Sequence, residues 1–426
     1  MTDRGSLTGQ PTATPSPPPF DPDALALDEA IRRISEQVVP IRDTESVALA
    51  QADGRILAND LSSTLDVPAH DNAAMDGYSF AAADLSAQGD TVLQVIGNAL
   101  AGRAFPDLPG AGQSVRIMTG AVMPTGHDTV VPQEFVTVES GQVRIPPGQE
   151  RGQNLRLRGE DLRCGEPALS AGQRLGAAEC GLIASLGIAE IQVMRRLRVA
   201  ILSTGDELCA PGTPLAEGMI YDSNRSTLRA LLNRMGVELI DLGIIQDNPV
   251  ALERAISEAS KRADAIISSA GVSVGEADHT RSIMQKLGQV GFWKIAMRPG
   301  RPLAFGRVGR ALYFGLPGNP VAVMITFLFM VRDALTRLGG GRVEPTPLLR
   351  ARTLTPIRKR VGRTEYQRAM LSTDTDGTPR VTLMANQGSA VLSSMSRADC
   401  LVVLEHSSAS IPAGGWVNCI PMRMLG

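Results

Sequence analysis

Four groups of residues in this 426-residue chain have the types and spacing to do chemistry. The first is acidic. Ser203-Thr204-Gly205-Asp206-Glu207-Leu208 follows an apolar run, Asp247 ends the next one, and Asp278 closes the loop after the third. Carboxylates at neighbouring strand ends face the crevice where α/β proteins take their ligands, and together they suit a hard cation such as Mg²⁺. Taken singly, each is more often a helix cap or a solvated loop residue, and only together do they favour a site. The second group is the loop 268–278, SSAGVSVGEAD, whose small residues let backbone N–H groups approach an anion ahead of a helix N-terminus. It lacks the G-K-[ST] ending of a Walker loop, and a tight turn with an acidic cap is the competing reading. The third is cationic. Lys294, Arg298 and Arg301 surround a Pro-Gly turn and suit phosphate or another tetrahedral oxyanion, with a solvated turn as the alternative. The fourth, GLPGNP at 315–320, is a rigid turn in which Pro317 can shape a pocket wall while Asn319 and Pro320 open a helix.

These residues need elements to hold them. Over 195–338, apolar strand-like runs alternate with capped helical segments: a helix over 223–235 stopped by Gly236, another from Pro249 with Asn248 as its cap, and a third over 277–287. This alternation predicts an α/β domain with a largely parallel, doubly covered sheet. A last helix opens at Asn319-Pro320 and closes before Gly339. Residues 63–162 hold short β-prone runs broken by Gly and Pro, which predicts a small β domain. Residues 23–37 carry apolar positions at helical spacing, and a further helix is expected over 178–186. From about residue 339 the pattern is β again and predicts a small barrel or sandwich. Residues 1–20 form a Pro/Ser/Thr-rich tail expected to lack a fold of its own.

Composition narrows the function. With 42 Lys plus Arg against 44 Asp plus Glu, the net charge of −2 argues against a nucleic-acid or general polyanion binder. The five cysteines contain no C-x-x-C pair and the four histidines no H-E-x-x-H, so a soft-ligand metal site is not expected. The longest apolar run, 321–331, falls well short of the ~20 residues that span a bilayer, and no signal pattern opens the chain, so a cytoplasmic protein is expected. Only four of the 42 basic residues are lysine (Lys261, Lys286, Lys294 and Lys359), which makes Lys294 conspicuous inside the cationic turn.

Taken in order, DNAAMDGY (71–78), RIMTGAVMP (116–124), GQNLRLRGED (152–161), STGDEL (203–208), SSAGVSVGEAD (268–278) and GLPGNP (315–320) resemble the molybdopterin molybdenumtransferase family, the bacterial counterpart of the gephyrin E domain. The resemblance runs from about residue 25 to the end of the chain. It implies an elongated homodimer of four-domain subunits. Residues 21–62 and 163–194 would form a discontinuous linking domain, 63–162 an inserted β domain, 195–338 the α/β molybdopterin-binding domain and 339–426 a β-barrel-like domain.

The reaction so implied takes adenylylated molybdopterin and molybdate, and yields molybdenum cofactor with Mg²⁺-dependent release of AMP. By the same resemblance, Glu207, Asp247 and Asp278 surround the pyrophosphate and Mg²⁺, with Asp278 essential to hydrolysis, while Gly271, Ser273 and Gly275 line the phosphates. Arg301, Arg368 and Ser389 match positions of the molybdate pocket, and Lys294 and Arg298 add charge. Asp76, Thr119, Arg156 and Asp161 would reach the site from the inserted and linking segments, across the dimer interface. On residue chemistry alone those loops are ordinary turns. Transient contacts with molybdopterin adenylyltransferase and with apo-molybdoenzymes are implied as well. The chain departs from the family in writing M-R-P-G-R-P for the usual M-K-P-G-K-P, in having Ala322 where relatives often have Ser, and in interrupting an arginine run with Leu157. Two other readings remain at this stage. The related adenylyltransferase is typically one small domain, and a gephyrin-like scaffold carries a second α/β module and a long linker that this chain lacks.

Overall fold

The computed structural model describes residues 23–270 and 277–425, with side chains at all of these except 277–281 and 292. The tail 1–20, Gly271, Ser273, Gly275 and the Asp278 side chain therefore lie outside the described residues. The chain divides into two compact units, residues 44–193 and the remainder on either side of them.

In the larger unit, Arg198–Thr204 (β1), Glu238–Ile245 (β2), Ala265–Ser269 (β3), Gly288–Lys294 (β4), Pro302–Val308 (β5) and Ala311–Leu316 (β6) form one sheet in the order β2-β1-β3-β6-β5-β4. The first four in that order are parallel, β5 runs antiparallel to them, and β4, antiparallel to β5, points the same way as the first four. The sheet is therefore mixed at one edge. Its central strands β3 and β6 are buried along their whole length, as their unbroken apolar character requires when helices cover both faces. Leu27–Gln37 (α1), Ser223–Met235 (α2) and Pro320–Thr326 (α5) pack on one face, while Pro249–Arg262 (α3) and Ala277–Leu287 (α4) pack on the other.

Local chemistry sets the helix ends. The Asp222 carboxylate accepts from the Arg225 N–H at 3.0 Å to start α2, and Gly236, at φ 73°, ends it in the left-handed region. Asn248 Oδ1 accepts from the Val250 and Ala251 N–H groups to start α3. The expectation of a helix from residue 23 needs correction, because α1 starts at Leu27. Leu25 is extended instead. Its N–H donates to the Lys294 carbonyl at 2.7 Å and its own carbonyl accepts from the Ala296 N–H at 2.8 Å. That tertiary ladder takes the backbone groups a longer helix would have used.

Leu349–Thr353 (β7), Thr364–Thr373 (β8), Pro379–Leu383 (β9), Cys400–Leu404 (β10) and Trp416–Pro421 (β11) close into a five-stranded barrel, because β10 pairs with β8 as well as β11. Inward residues such as Ala369, Val381, Val402 and Val417 fill it. A π-helical stretch, Phe327–Val331, continues α5 and presents Phe329 to Tyr366 of β8, with ring centroids 3.9 Å apart. The same stack docks the barrel on the α/β layer.

The smaller unit holds a six-stranded sheet of its own, in which Gly77–Phe80 lies between Thr129–Pro132 and Gln113–Ile117. A Cβ on Gly77 would stand 1.9 Å from the Val131 carbonyl oxygen of the adjacent strand. Gly77→Ala is thus expected to destabilise this unit by about 3 kcal/mol or more, seen as a melting-temperature drop of roughly 6–12 °C for a unit of this size. An unchanged calorimetric transition would show that the strands can part without penalty. The glycine of DNAAMDGY has a steric reason for being there, whatever its neighbours do.

Candidate functional site

The loops at the carboxyl ends of β1, β3 and β6 open into a cavity of about 600 Å³, a volume typical of small-molecule sites. Glu207 comes from the loop after β1, Ala270 from β3 and Pro317 from β6, while the turn 297–302 brings Arg298 and Arg301. The barrel closes the cavity with Arg363, Gln387 and Ser389. The cavity thus collects five residues anticipated from sequence: Glu207, Arg298, Arg301, Pro317 and Ser389.

Each wall is fixed by its local structure. Gly300, at φ 103°, packs so closely that a Cβ would meet Thr326 Oγ1 at 2.6 Å, and the Ile295 N–H donates to the Arg301 carbonyl at 2.7 Å. The arginines on this turn therefore spring from a closely packed, hydrogen-bonded backbone. The Ala270 backbone has φ 71°, a conformation that costs a non-glycine residue about 1–2 kcal/mol and that often marks functional loops. Glu207 folds back over Gly205, where a Cβ would lie 2.5 Å from its carboxylate. Ser389 is tied to α5 by its carbonyl, which accepts from the Val321 N–H at 3.0 Å. On the same rim, Asn224 Nδ2 donates to the Gly318 carbonyl at 2.7 Å, and its Oδ1 is buried with no hydrogen-bond partner among the described residues.

Arg368, only 1% exposed, stands behind the cavity and is not among its lining residues. Its guanidinium donates to Ser394 Oγ at 3.0 Å and to the carbonyls of Asn386 and Gly388 at 3.3 and 3.0 Å. It grips the loop that carries Ser389. Burial, and secondarily Arg298, lower its pKa to about 10, so it keeps its charge at neutral pH. Lys294 is exposed at the end of β4 and does not line the cavity. Pro320 is the first residue of α5, next to the lining residue Asn319.

Asp247 follows β2, the strand beside β1, and its N–H donates to Asp206 Oδ1 at 3.1 Å, which ties the two acidic loops together. Among the described residues, no group of three carboxylate, His or Cys side chains converges as a metal site. The remaining candidates lie on the smaller unit. Asp76 Oδ1 accepts from both the N–H and the hydroxyl of Thr119 at 2.7 Å. Those two bonds, with help from Arg116, hold the Asp76 pKa below the ordinary carboxylate value. Arg156 lies exposed on a two-residue strand opposite Asn72, and the Asp161 N–H donates to the Val67 carbonyl at 3.0 Å. Arg363 and Gln387 went unrecognised in the sequence. The Arg-x-Glu spacing of Arg363, just ahead of β8, and Glu365, to which its Nε donates at 2.7 Å, was the available signal.

A cavity at the strand ends of an α/β sheet, walled by the arginines of the 297–302 turn and by an arginine and a serine of a small barrel, has the chemistry of a site for anionic ligands. Residues 200–337 match the family model described as a probable molybdopterin binding domain. Residues 25–187 match the MoeA N-terminal region (domain I and II), and 350–422 the MoeA C-terminal region (domain IV). The molybdopterin molybdenumtransferase of Haemophilus influenzae is 41% identical over 94% of this chain and 99% of the relative. The molybdopterin molybdenumtransferase 1 of Mycobacterium tuberculosis is 32% identical over 92% and 98%. Crystal structures of molybdopterin biosynthesis MoeA proteins from Pyrococcus horikoshii superpose with TM-scores of 0.75 and 0.80, at 30% and 26% identity, covering 94% and 93% of this chain and 99% of each neighbour. The chain belongs to the molybdopterin molybdenumtransferase family, and its fold is that of the family's multidomain enzymes.

Proposed function

We propose that this enzyme inserts molybdenum from molybdate into adenylylated molybdopterin, with Mg²⁺-dependent hydrolysis that releases AMP. The observation that carries the reading is the convergence of Arg298, Arg301 and Arg363 with Ser389 on one cavity at the strand ends of the molybdopterin-binding domain. Molybdate is a small tetrahedral dianion, and fixed guanidinium groups bind such ions through charge-assisted hydrogen bonds. Glu207 also lines the cavity, at the end of β1 beside the acidic loop of Asp206, where the pyrophosphate of the second substrate would lie.

The residues fit a hard cation. Mg²⁺ usually takes only one or two protein carboxylates and completes its shell with phosphate and water, so Glu207 and Asp247, whose loops are tied by the Asp247 N–H to Asp206, would with Asp278 supply its protein oxygens. Bound there, the ion would neutralise pyrophosphate charge. The arginines hold the oxyanion, the rigid 297–302 turn and the Ser389 loop fix its position, and Asp278 supports the water that adds across the phosphoanhydride. Gly271, Ser273 and Gly275 are assigned to the phosphates by the family resemblance. Arg368 and Pro320 hold the walls, Pro317 shapes one of them, and Lys294 adds long-range charge.

In this reading the active form is a homodimer, in which Asp76, Thr119, Arg156 and Asp161 of one subunit serve the cavity of the other. Each subunit would have the linking (21–62, 163–194), inserted (63–162), α/β (195–338) and barrel (339–426) domains. The enzyme would act in the cytoplasm, receiving its substrate from molybdopterin adenylyltransferase and passing its product to apo-molybdoenzymes. The test is direct. Purified protein given adenylylated molybdopterin and molybdate should release AMP with Mg²⁺ and stop with EDTA. Synthesis of adenylylated molybdopterin from ATP, without AMP release, would replace this reading with the adenylyltransferase one.

A further inference from the structure

Lys359, one of only four lysines in the chain, is 7% exposed and points its ammonium at three backbone carbonyls. Nζ donates to the carbonyls of Arg363 at 2.6 Å, Arg360 at 2.9 Å and Ser408 at 3.3 Å. The carboxylate that most favours its charge, Glu365, is already committed, one oxygen to Arg363 Nε at 2.7 Å and the other to Gln367 Nε2 at 2.9 Å. A buried cation held mainly by carbonyls stabilises little by itself. Its effect lies in what those carbonyls position.

The gripped segment is the wall of the oxyanion cavity. Arg363 lines that cavity, and the next residue, Thr364, donates its N–H to the Ala296 carbonyl at 2.8 Å. From there Met297 and Arg298 pair in register with Thr364 and Glu365. This short ladder thus carries Arg298 and starts one residue after Arg363, and Lys359 anchors its barrel side. Around the lysine, its own N–H donates to Ser410 Oγ at 3.1 Å, and the Gly362 N–H donates to the His406 carbonyl at 2.9 Å, so the clamp is attached to the 406–410 loop.

We propose that Lys359 is a positioning residue for oxyanion binding, acting through the Arg363 carbonyl to set the place of the Arg363 guanidinium. The choice of lysine in an arginine-rich chain follows from shape. An ammonium can aim three donors at converging carbonyls from one point, which a planar guanidinium fork cannot. This proposal rests on the reading of the cavity as the molybdate site.

The experiment is a double-mutant cycle on the full-length protein, with KM for molybdate and kcat for AMP release measured separately. Lys359→Met should raise KM roughly tenfold with kcat at saturating molybdate nearly unchanged, because a displaced binding group costs affinity. On an Arg363→Gln background, which keeps a donor for Glu365, Lys359→Met should add almost nothing, since the lysine acts through that arginine. An unchanged KM in Lys359→Met, or an equal increase on both backgrounds, overturns the proposal. Should Lys359→Met fail to fold, Lys359→Arg takes its place, with a several-fold KM increase expected and again lost on the Arg363→Gln background. Wild-type protein whose AMP release ignores molybdate would instead contradict the reading of the cavity, and the two failures are therefore distinct.

Discussion

Asp278→Asn is expected to lower the rate of AMP release by about 10²–10⁴-fold while leaving substrate KM within a few-fold, the mark of a group needed in the reaction more than in binding. The argument begins with position. Helix α4 starts at Ala277, so residue 278 lies in its first turn. Strand β3 is the neighbour of β1, whose loop brings Glu207, and β1 is the neighbour of β2, which leads to Asp247. A carboxylate in a first helical turn is favoured in its ionised form by the helix dipole. Asparagine keeps its size and removes the charge, so cation binding and orientation of the attacking water are both impaired. Single-turnover release of AMP, followed by chromatography, measures the effect. A variant within twofold of wild type would remove Asp278 from the mechanism.

Arg301→Ala is expected to raise KM for molybdate by roughly 10- to 150-fold, the equivalent of one lost charged hydrogen bond worth about 1.5–3 kcal/mol. The magnitude is large because the turn cannot compensate. Gly300 is packed against Thr326 and Met297, and the Arg301 carbonyl is pinned by the Ile295 N–H. Arg298 and Arg363 retain their places, so binding weakens without being abolished. Arg301→Lys keeps the charge and exchanges a fork for a point donor, and a change of only a few-fold is expected. Initial rates across a molybdate titration separate the two variants. A KM unmoved by Arg301→Ala would place the oxyanion elsewhere.

Much of the α/β region could be read from the sequence because its signals are local. The α2 limits follow from Asp222 and Gly236, and the start of α3 from Asn248-Pro249. Buried strands such as Ala265–Ser269 and Ala311–Leu316 announced themselves as continuous apolar runs. What escaped depends on partners distant in the chain. Leu25 leaves the expected helix for a bridge to Ile295, and Gly77 answers to a carbonyl on the strand of Val131. In the site, Glu207, Arg298 and Arg301 were legible as charged residues at strand ends and turns. Arg368 was legible in type but not in direction, because only the packed barrel shows its donors turned toward the carbonyls of Asn386 and Gly388. Arg363 was missed for the same reason. Its spacing from Glu365 was visible, but the cavity it lines is built with a turn more than sixty residues earlier, whose Met297 and Arg298 pair with Thr364 and Glu365.

The central claim is that this cavity joins molybdate to adenylylated molybdopterin. The measurement that tests it most directly gives purified protein adenylylated molybdopterin, Mg²⁺ and a range of molybdate concentrations, and then assays the product for reconstitution of an apo-molybdoenzyme. The account predicts AMP release and reconstituted activity that rise together, saturate with molybdate, and lose apparent affinity in Arg301→Ala. AMP release without any reconstituting product, or reconstitution indifferent to both molybdate and Arg301, would contradict it.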